Sequence, residues 1–516
     1  MGDHMATRKA RVSFMISRFK SFWKEYKQNK RGVIGIIIIL FFGVIAVAAP
    51  LLTPYDPLRP THPGFYPARQ PPIAEKQCVP IWYKYLPGGQ DLSENVEAVL
   101  DHEFSSNETF YKEWVWTHYP PKYNVTVRYN ATGGRNNNDG TIEISYKRED
   151  VEVAPGNVSV TLFKEFEYPF NSPPKSFWMH LSCRIDNRTI LTTYPIAISV
   201  RLSRGKEVFS VWNRHVRAKD VASKWEDSWA VSKGLLGMME ETIFTNAGNY
   251  TYEVKLTIFD NGEGKTDLTI RLDNVNMLLY GSAFGLLGTD VDKITPRDLL
   301  TRLVHGTRIS FMIGLLAAFF SVIIGLFVGL ISGYVGGLVD EVLMRFADFL
   351  LILPGLVLLI VLVTVLGRSI WNIIGVLIFM GWMGFSRQVR SMVLSLRERQ
   401  FIESAKAAGG GTFYIINRHI IPNVFALVYI ALATSVPGAI LAEASLAWLG
   451  LGDINIPSWG MMLHDFSRAG IALKGLGETW FWVLPPGIAI ALMAMAFILI
   501  GFSLDEILNP KLRKRR

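Results

Sequence analysis

Between Val33 and Leu52 the chain reads VIGIIIILFFGVIAVAAPLL, without one charged residue. A bilayer-spanning helix needs ~20 such residues, and only a helix or a closed barrel satisfies its own backbone in lipid. The run is not a cleavable signal peptide, because a basic arm of about 30 residues precedes it. Pro50 and the turn chemistry of Thr53-Pro-Tyr-Asp-Pro57 end it. Five more candidate spans follow: Ile309–Gly333, Val339–Leu366, Trp371–Val393, Phe425–Leu449 and Phe481–Phe502. Arg345 and Asp348 fall in the early turns of the second of these, and Arg387 and Arg390 in the last turns of the third. Leu299–Arg308 reads as a short amphipathic helix leading into Ile309–Gly333. A wholly soluble chain and a disordered one are both excluded.

The basic residues fix an expected orientation. The chain carries 53 Lys+Arg against 44 Asp+Glu, a formal charge of +9. The excess is concentrated before Val33 and in Lys511-Leu-Arg-Lys-Arg-Arg516, beside apolar runs. Lys/Arg-rich flanks stay in the cytoplasm, and six spans put both termini on that side. The expected partner of this charge is therefore a membrane surface and not a nucleic acid. Two cysteines and no CxxC exclude a zinc ribbon or an iron–sulfur protein. Nine scattered histidines with no HExxH argue against a catalytic metal.

Residues 53–295 then face outwards. Their apolar residues alternate with period two in Asn124–Tyr129, Thr141–Tyr146, Val158–Leu162, Pro195–Leu202 and Tyr252–Ile258. These β-branched runs, separated by Gly/Asn/Pro clusters, predict an all-β sandwich of about 220 residues. Asp260-Asn-Gly262 before Thr266–Leu272 predicts a hairpin, and Gly133–Gly140 an exposed turn. All six Asn-x-Ser/Thr sequons lie here, at Asn107, Asn124, Asn130, Asn157, Asn187 and Asn249. Cys78 and Cys183 lie here too, and two readings stay open: one disulfide, or two buried thiols. Trp114, Trp116, Trp178, Trp212, Trp225 and Trp229 either pack the core or form a stacking platform for a sugar or peptide.

The segment from Ser395 to Pro422 is too polar to cross a bilayer, and by this topology it is cytoplasmic. Helix formers run to Ala408, Gly409–Gly411 allows a sharp turn, Thr412 can cap a second short helix, and Pro422 ends it. Such a helix–Gly–helix pair is either a knob for another protein's groove or a hairpin lying on the membrane. Ala405, Ala407, Ala408 and Gly409 permit close approach. Arg397, Arg399, Glu403 and Arg418 supply rim charges.

Glu403-Ser404-Ala405, three residues, Gly409, and a stretch ending Ile421-Pro422 together resemble the EAA loop of ABC-importer permeases. Glu443-Ala-Ser-Leu-Ala-Trp-Leu-Gly-Leu-Gly452, Pro457-Ser-Trp-Gly460, Arg418-His-Ile-Ile-Pro-Asn423 and Ser332-Gly-Tyr-Val-Gly-Gly337 are similar to the C-type subunit of dipeptide/oligopeptide permeases. Ser404 stands where Ala is usual and Ile421 where Leu is usual. The β-rich insertion has no counterpart in the short forms of the family. The resemblance implies a type I importer permease fold of about six transmembrane helices, here with a large inserted extracellular all-β domain.

The organisation that follows is a basic cytoplasmic arm over 1–32, a first span over 33–52 and the β-rich domain over 53–295. A permease core over 296–505 and a basic tail over 506–516 complete it. The implied partners are a second, B-type permease, two ATPase subunits docked on 395–422 (Arg397, Arg399, Glu403, Ser404, Ala405, Gly409, Gly411, Arg418 and Pro422), an extracellular solute-binding protein and membrane lipid. No cofactor is expected in this chain, because ATP and Mg belong to the ATPases. Gly264-Lys-Thr266 is not a phosphate loop, since Phe259 stands where its first Gly would be. The chain is therefore a transport subunit and not an enzyme. Oligosaccharide or nickel cargo, and an anchored receptor whose outer domain does the work, are the alternatives.

Glu443, Pro437 and Asp348 are the candidate pathway or gate residues. A charge inside a span is costly unless it faces water or a partner. For Glu443, lining the pathway and hydrogen-bonding the outer-side hairpin both stay open. Pro437-Gly438 predicts a kink or break. Asp348 either pairs with Arg345 one turn away or meets the partner permease. The β-domain either docks or partly replaces the solute-binding protein, or acts as a glycan-coated shield.

Overall fold

The computed structural model of the chain describes residues 20, 23–59, 71–87, 89–135, 140–148, 156–188, 196–216, 224–231, 239–260, 265–290, 296–470 and 476–508. The basic tail at 511–516 and the predicted turn at 261–262 lie outside these residues. The chain divides into two compact units, Met1–Arg59 with Leu299–Arg516, and Pro60–Asp298.

The first unit is helical. Helix α1 spans Lys30–Leu52 and is capped by the Asn29 side chain, which accepts from the Arg31 and Gly32 amides. Helix α2 spans Leu299–Val335, so the expected amphipathic lead-in and the following span are one continuous helix. Gly306 sits at the join because Trp459 packs there, where a Cβ would lie 2.9 Å from its ring. The run Val339–Leu366 is two helices rather than one: α3 (Gly337–Ile352) and α4 (Gly355–Leu366), bent by 94°. Leu353-Pro354 makes the break. Proline has no N–H for the helical ladder and biases the residue before it to extended backbone, and Leu353 is extended.

Helices α5 (Ile370–Gly381) and α6 (Met383–Arg397) follow, then α7 (Gln400–Ala407) and α8 (Thr412–Ile415). The unit closes with α9 (Ile421–Trp448), α10 (Trp459–Arg468) and α11 (Leu476–Leu508). Among the described residues five helical paths are long and apolar enough to cross a membrane, or six if the bent pair counts as one span.

The second unit is a sandwich of two antiparallel sheets. Its strands are β1 (Val96–Glu97), β2 (Val115–Tyr119), β3 (Asn124–Asn130), β4 (Thr141–Arg148), β5 (Asn157–Tyr168), β6 (Ser176–Arg188), β7 (Ile196–Arg204), β8 (Glu207–Val216), β9 (Glu226–Val231), β10 (Gly248–Phe259) and β11 (Thr266–Tyr280). One sheet runs β3-β4-β11-β6-β9 with β1 beside β11, and the other β2-β5-β10-β7-β8. Alternating residues such as Ile142, Ile144, Val160, Leu162, Val254 and Ile270 are fully buried between them. Trp114 and Trp178 are buried and Trp116 and Trp212 pack on the core, while the Trp229 side chain lies outside the described residues. Apolar burial of this kind contributes ~25 cal/mol per Å².

One expectation fails here, and one open pair of readings is decided. The strands on either side of Asp260-Asn-Gly262 do not form a hairpin, because β10 pairs with β5 and β7 whereas β11 pairs with β4 and β6. The two strands therefore lie in different sheets, and Thr266 is the first residue of β11. The disulfide is also absent: Cys78 and Cys183 are free and buried. The Cys78 thiol donates to the Glu75 carbonyl at 3.0 Å and lies against Gly281 beyond the end of β11. Cys183 pairs with Leu272, far back along that same strand. At ~3.4 Å per residue the two positions are roughly 30 Å apart along the strand, well beyond the Cα spacing a disulfide tolerates. Burial pushes the Cys183 thiol up to about 12 and also raises that of Cys78.

Charged groups staple the unit. Asp260, just after β10, accepts from Arg148 Nε at 2.7 Å and from the Tyr146 hydroxyl at 2.6 Å, tying one sheet to the other. Burial opposes ionisation of Asp227, but hydrogen bonds from His180, Arg135 and Ser182 outweigh it and hold the carboxyl well below the usual range. Of the sequons, Asn107, Asn124, Asn157 and Asn249 are exposed. The Asn130 amide donates to buried Glu143 at 3.1 Å, and the Asn187 side chain lies outside the described residues.

Candidate functional site: the 395–422 elbow

Helix α6 ends at Arg397 and a single turn leads into α7. Helix α7 stops because Gly409 takes a left-handed backbone (φ +83°). The Gly409 amide then donates to the Lys406 carbonyl at 2.9 Å and the Gly410 amide to Ala405 at 3.0 Å. This is the paired C-cap that a glycine at the C′ position makes cheaply.

Thr412 does not cap the next helix; it is the first residue of α8, and Gly411 holds the cap position with no side-chain bond. Pro422 does not end that helix either. Helix α8 passes through a π-helical turn, Ile416–Ile420, into α9, with Pro422 at the start of α9. A proline is tolerated in a first turn, and the π turn takes up the change of register.

The underside of the elbow is apolar and fixed. Ile402, Ile415 and Ile420 are buried in one cluster with Leu330 of α2, Val389 and Val393 of α6, and Val424. Arg397 lies over Gly336 in the turn between α2 and α3, and the Lys406 ammonium stands 5.7 Å from the Tyr334 ring. The upper face is open. Arg399, Glu403, Ser404, Gly409, Gly411, Arg418 and Pro422 are exposed, while Arg397 and Ala405 are half-buried. The Ser404 hydroxyl donates to the Gln400 carbonyl at 2.9 Å.

Sequence reasoning missed the aromatic crown. Phe413 is 80% exposed and Tyr414 55%, beside exposed Phe401. Their signal was two aromatics directly after a triglycine in a polar segment. An exposed aromatic pair ringed by Arg and Glu on a rigid base is the composition of an interface anchor.

The other candidates lie elsewhere. Glu443 is buried, and its Oε1 accepts from the Ser458 hydroxyl at 2.7 Å. Ser458 in turn caps α10 by accepting from the Met461 amide at 3.2 Å. Pro437 is buried, and α9 stays helical through it. Asp348 does not pair with Arg345; it bonds Arg387 on α6. Asp340 makes a bidentate pair with Arg390 at 2.5 and 2.6 Å.

A model described as "N-terminal TM domain of oligopeptide transport permease C" matches residues 17–72, and one described as "Binding-protein-dependent transport system inner membrane component" matches 325–514. The chain is 36% identical to the dipeptide transport system permease protein DppC of Bacillus subtilis over 42% of this chain and 67% of that one. It is 39% identical to the oligopeptide transport system permease protein OppC of Haemophilus influenzae, over 44% and 71%. The chain belongs to the C-type peptide permease family of ABC importers. The elbow lies inside the second matched region, whereas most of the β sandwich lies between the two. Among solved structures, an inward-facing MetNI methionine ABC transporter chain aligns with TM-score 0.33 and 18% identity, over 40% of this chain and 95% of that one. C-type permeases are multi-pass membrane subunits and not enzymes.

Proposed function

We propose that this chain is one permease half of an ATP-driven importer of di- or oligopeptides. It forms the pathway with a B-type permease, and a solute-binding protein delivers cargo from outside. Two ATPase subunits hold ATP and Mg, and this chain couples to them through 395–422. Both termini and the elbow are cytoplasmic and residues 53–295 are external, in line with the Lys/Arg bias of the flanks.

The observation that carries this reading is the two-faced elbow: three buried isoleucines weld its base to α2 and α6, while its aromatic and charged crown stands exposed. A rigid base and an open crown are what force transmission requires. When the ATPases close on ATP, a groove gripping Phe413 and Tyr414 displaces the crown. The welded base then carries that displacement into α6, and alternating tilts open the pathway to each side in turn. The small surface at Ala407, Ala408 and Gly409 lets a partner backbone come close.

Labelling a Ser404→Cys variant in sealed cells tests the placement, since both native thiols are buried and silent. A membrane-impermeant maleimide should leave the introduced thiol unlabelled until the cells are opened. Labelling from outside contradicts the topology.

A further inference from the structure

The helical unit separates into two packed blocks. Next to the elbow, residues such as Val322, Leu330, Val389, Val393, Ile402 and Val428 share one apolar cluster. Farther along the same helices, Ile313, Ala317, Val363, Ile373 and Leu446 share another. One helical path is broken between the two. The pair α3–α4 breaks at Leu353-Pro354, whereas the path α5–α6 keeps helical backbone through Trp382, and α9 carries Pro437 between Ala431 of the first cluster and Ala439 of the second. Leu353 and Trp382 pack around Ala347 and Leu350, so the break at Leu353-Pro354 is seated against the α5–α6 path.

Helix α6 is locked to α2 by backbone approach. A Cβ at Gly325, Gly329 or Gly333 would stand 2.6–2.8 Å from Trp382, Ser386 or Val393. Helix α3 has no comparable apolar attachment, since Ala347 and Leu350 are its only buried residues. Charge holds it instead. Asp340 grips Arg390 with two bonds, and Asp348 grips Arg387 on the same face of α6. The bidentate Asp340–Arg390 pair combines strength with a fixed geometry and is partly withdrawn from water, which strengthens it, whereas Asp348–Arg387 is a single contact between exposed side chains.

We propose that Asp340, Arg390, Asp348 and Arg387 are positioning residues for transport. They make α3 travel as one body with α6 and the elbow, so that ATP-driven displacement turns the unit at the Leu353–Pro354 joint. Asp340 lies in the first turn of α3, where the helix dipole also favours a carboxylate, so a charge swap at that pair is not neutral. The inference rests on the coupling role proposed above for 395–422.

The test uses the reconstituted complex with both ATPases, comparing peptide uptake with ATP hydrolysis. Asp340→Cys with Arg390→Cys should lower uptake about ten-fold, as expected when a coupling network loses a member, while hydrolysis stays within about two-fold. Bridging the two new thiols with a short bifunctional reagent should restore uptake, because a covalent tie replaces the ionic one. Uptake unchanged in the double variant, or abolished by bridging, overturns the proposal. The second result would mean that α3 must slide on α6.

Should the cysteine pair fail to assemble, Asp348→Arg with Arg387→Asp serves. The swap should transport at near wild-type rate, while either single variant loses about ten-fold. Equal loss in singles and swap overturns the proposal. Failure of the ATPases to copurify with the wild-type chain instead removes the coupling role itself, and is read before any variant.

Discussion

Gly409→Val lowers peptide uptake by the assembled importer at least about ten-fold, with the chain still present in the membrane. The φ of +83° at this position is one that a β-branched residue adopts only as an outlier, and such strain costs of order 1–3 kcal/mol or more. The strain is relieved by unwinding the cap, which breaks the Gly409–Lys406 and Gly410–Ala405 bonds. The crown at Phe413 and Tyr414 then loses its fixed bearing on Ile402. Gly411→Ala is the matched control. Its backbone is ordinary (φ −70°) and a Cβ there meets nothing within 4 Å, so the fold of the elbow is unchanged. Uptake assays in proteoliposomes, normalised to permease content, decide it. Wild-type uptake by Gly409→Val would show that the cap is dispensable.

Asp260→Ala destabilises the β unit by about 3–5 kcal/mol, because it strands a buried cation. The Arg148 and Asp260 side chains are 2% and 1% exposed. Without the carboxylate the guanidinium loses its pair and the Tyr146 hydroxyl loses its acceptor. The inter-sheet tie between β4 and the end of β10 goes with them. Replacing both partners, Arg148→Met with Asp260→Leu, should recover most of the loss, since apolar residues of similar volume avoid the desolvation penalty. Proteolytic susceptibility of the purified full chain across a urea series reports both. A midpoint for Asp260→Ala equal to wild type would mean that the pair contributes nothing net.

Much of this architecture was legible from hydropathy and alternation. The uncharged run at Val33–Leu52 and the β-branched run at Tyr252–Ile258 can each be satisfied in only one way, by a span and by a half-buried strand. What escaped was long-range pairing. The alternation of Tyr252–Ile258 and Thr266–Leu272 marks two strands, but not that they lie in different sheets; a two-sheet sandwich makes neighbouring strands in sequence part company. Strand β8, Glu207–Val216, does not read as a strand in the sequence, because its apolar residues Val208, Phe209, Val211 and Trp212 do not alternate and face a partly open surface. The bend at Pro354 was signalled by the proline itself and hidden by the unbroken hydropathy around it. Asp348 illustrates the same limit in charge space. Sequence spacing offers Arg345 as neighbour, whereas the fold delivers Arg387 from another helix. Local rules found the elbow because its glycines act locally; they missed the tie between α3 and α6, which exists only after packing.

The most direct measurement is photo-crosslinking from the crown. A photoreactive phenylalanine analogue at position 413, in membranes holding the whole importer, should yield one adduct between this chain and an ATPase subunit. The same probe at Val47 on the exposed face of α1, 83% accessible, should yield none with the ATPase. An adduct from position 413 with lipid or with the solute-binding protein, and none with the ATPase, would contradict the account.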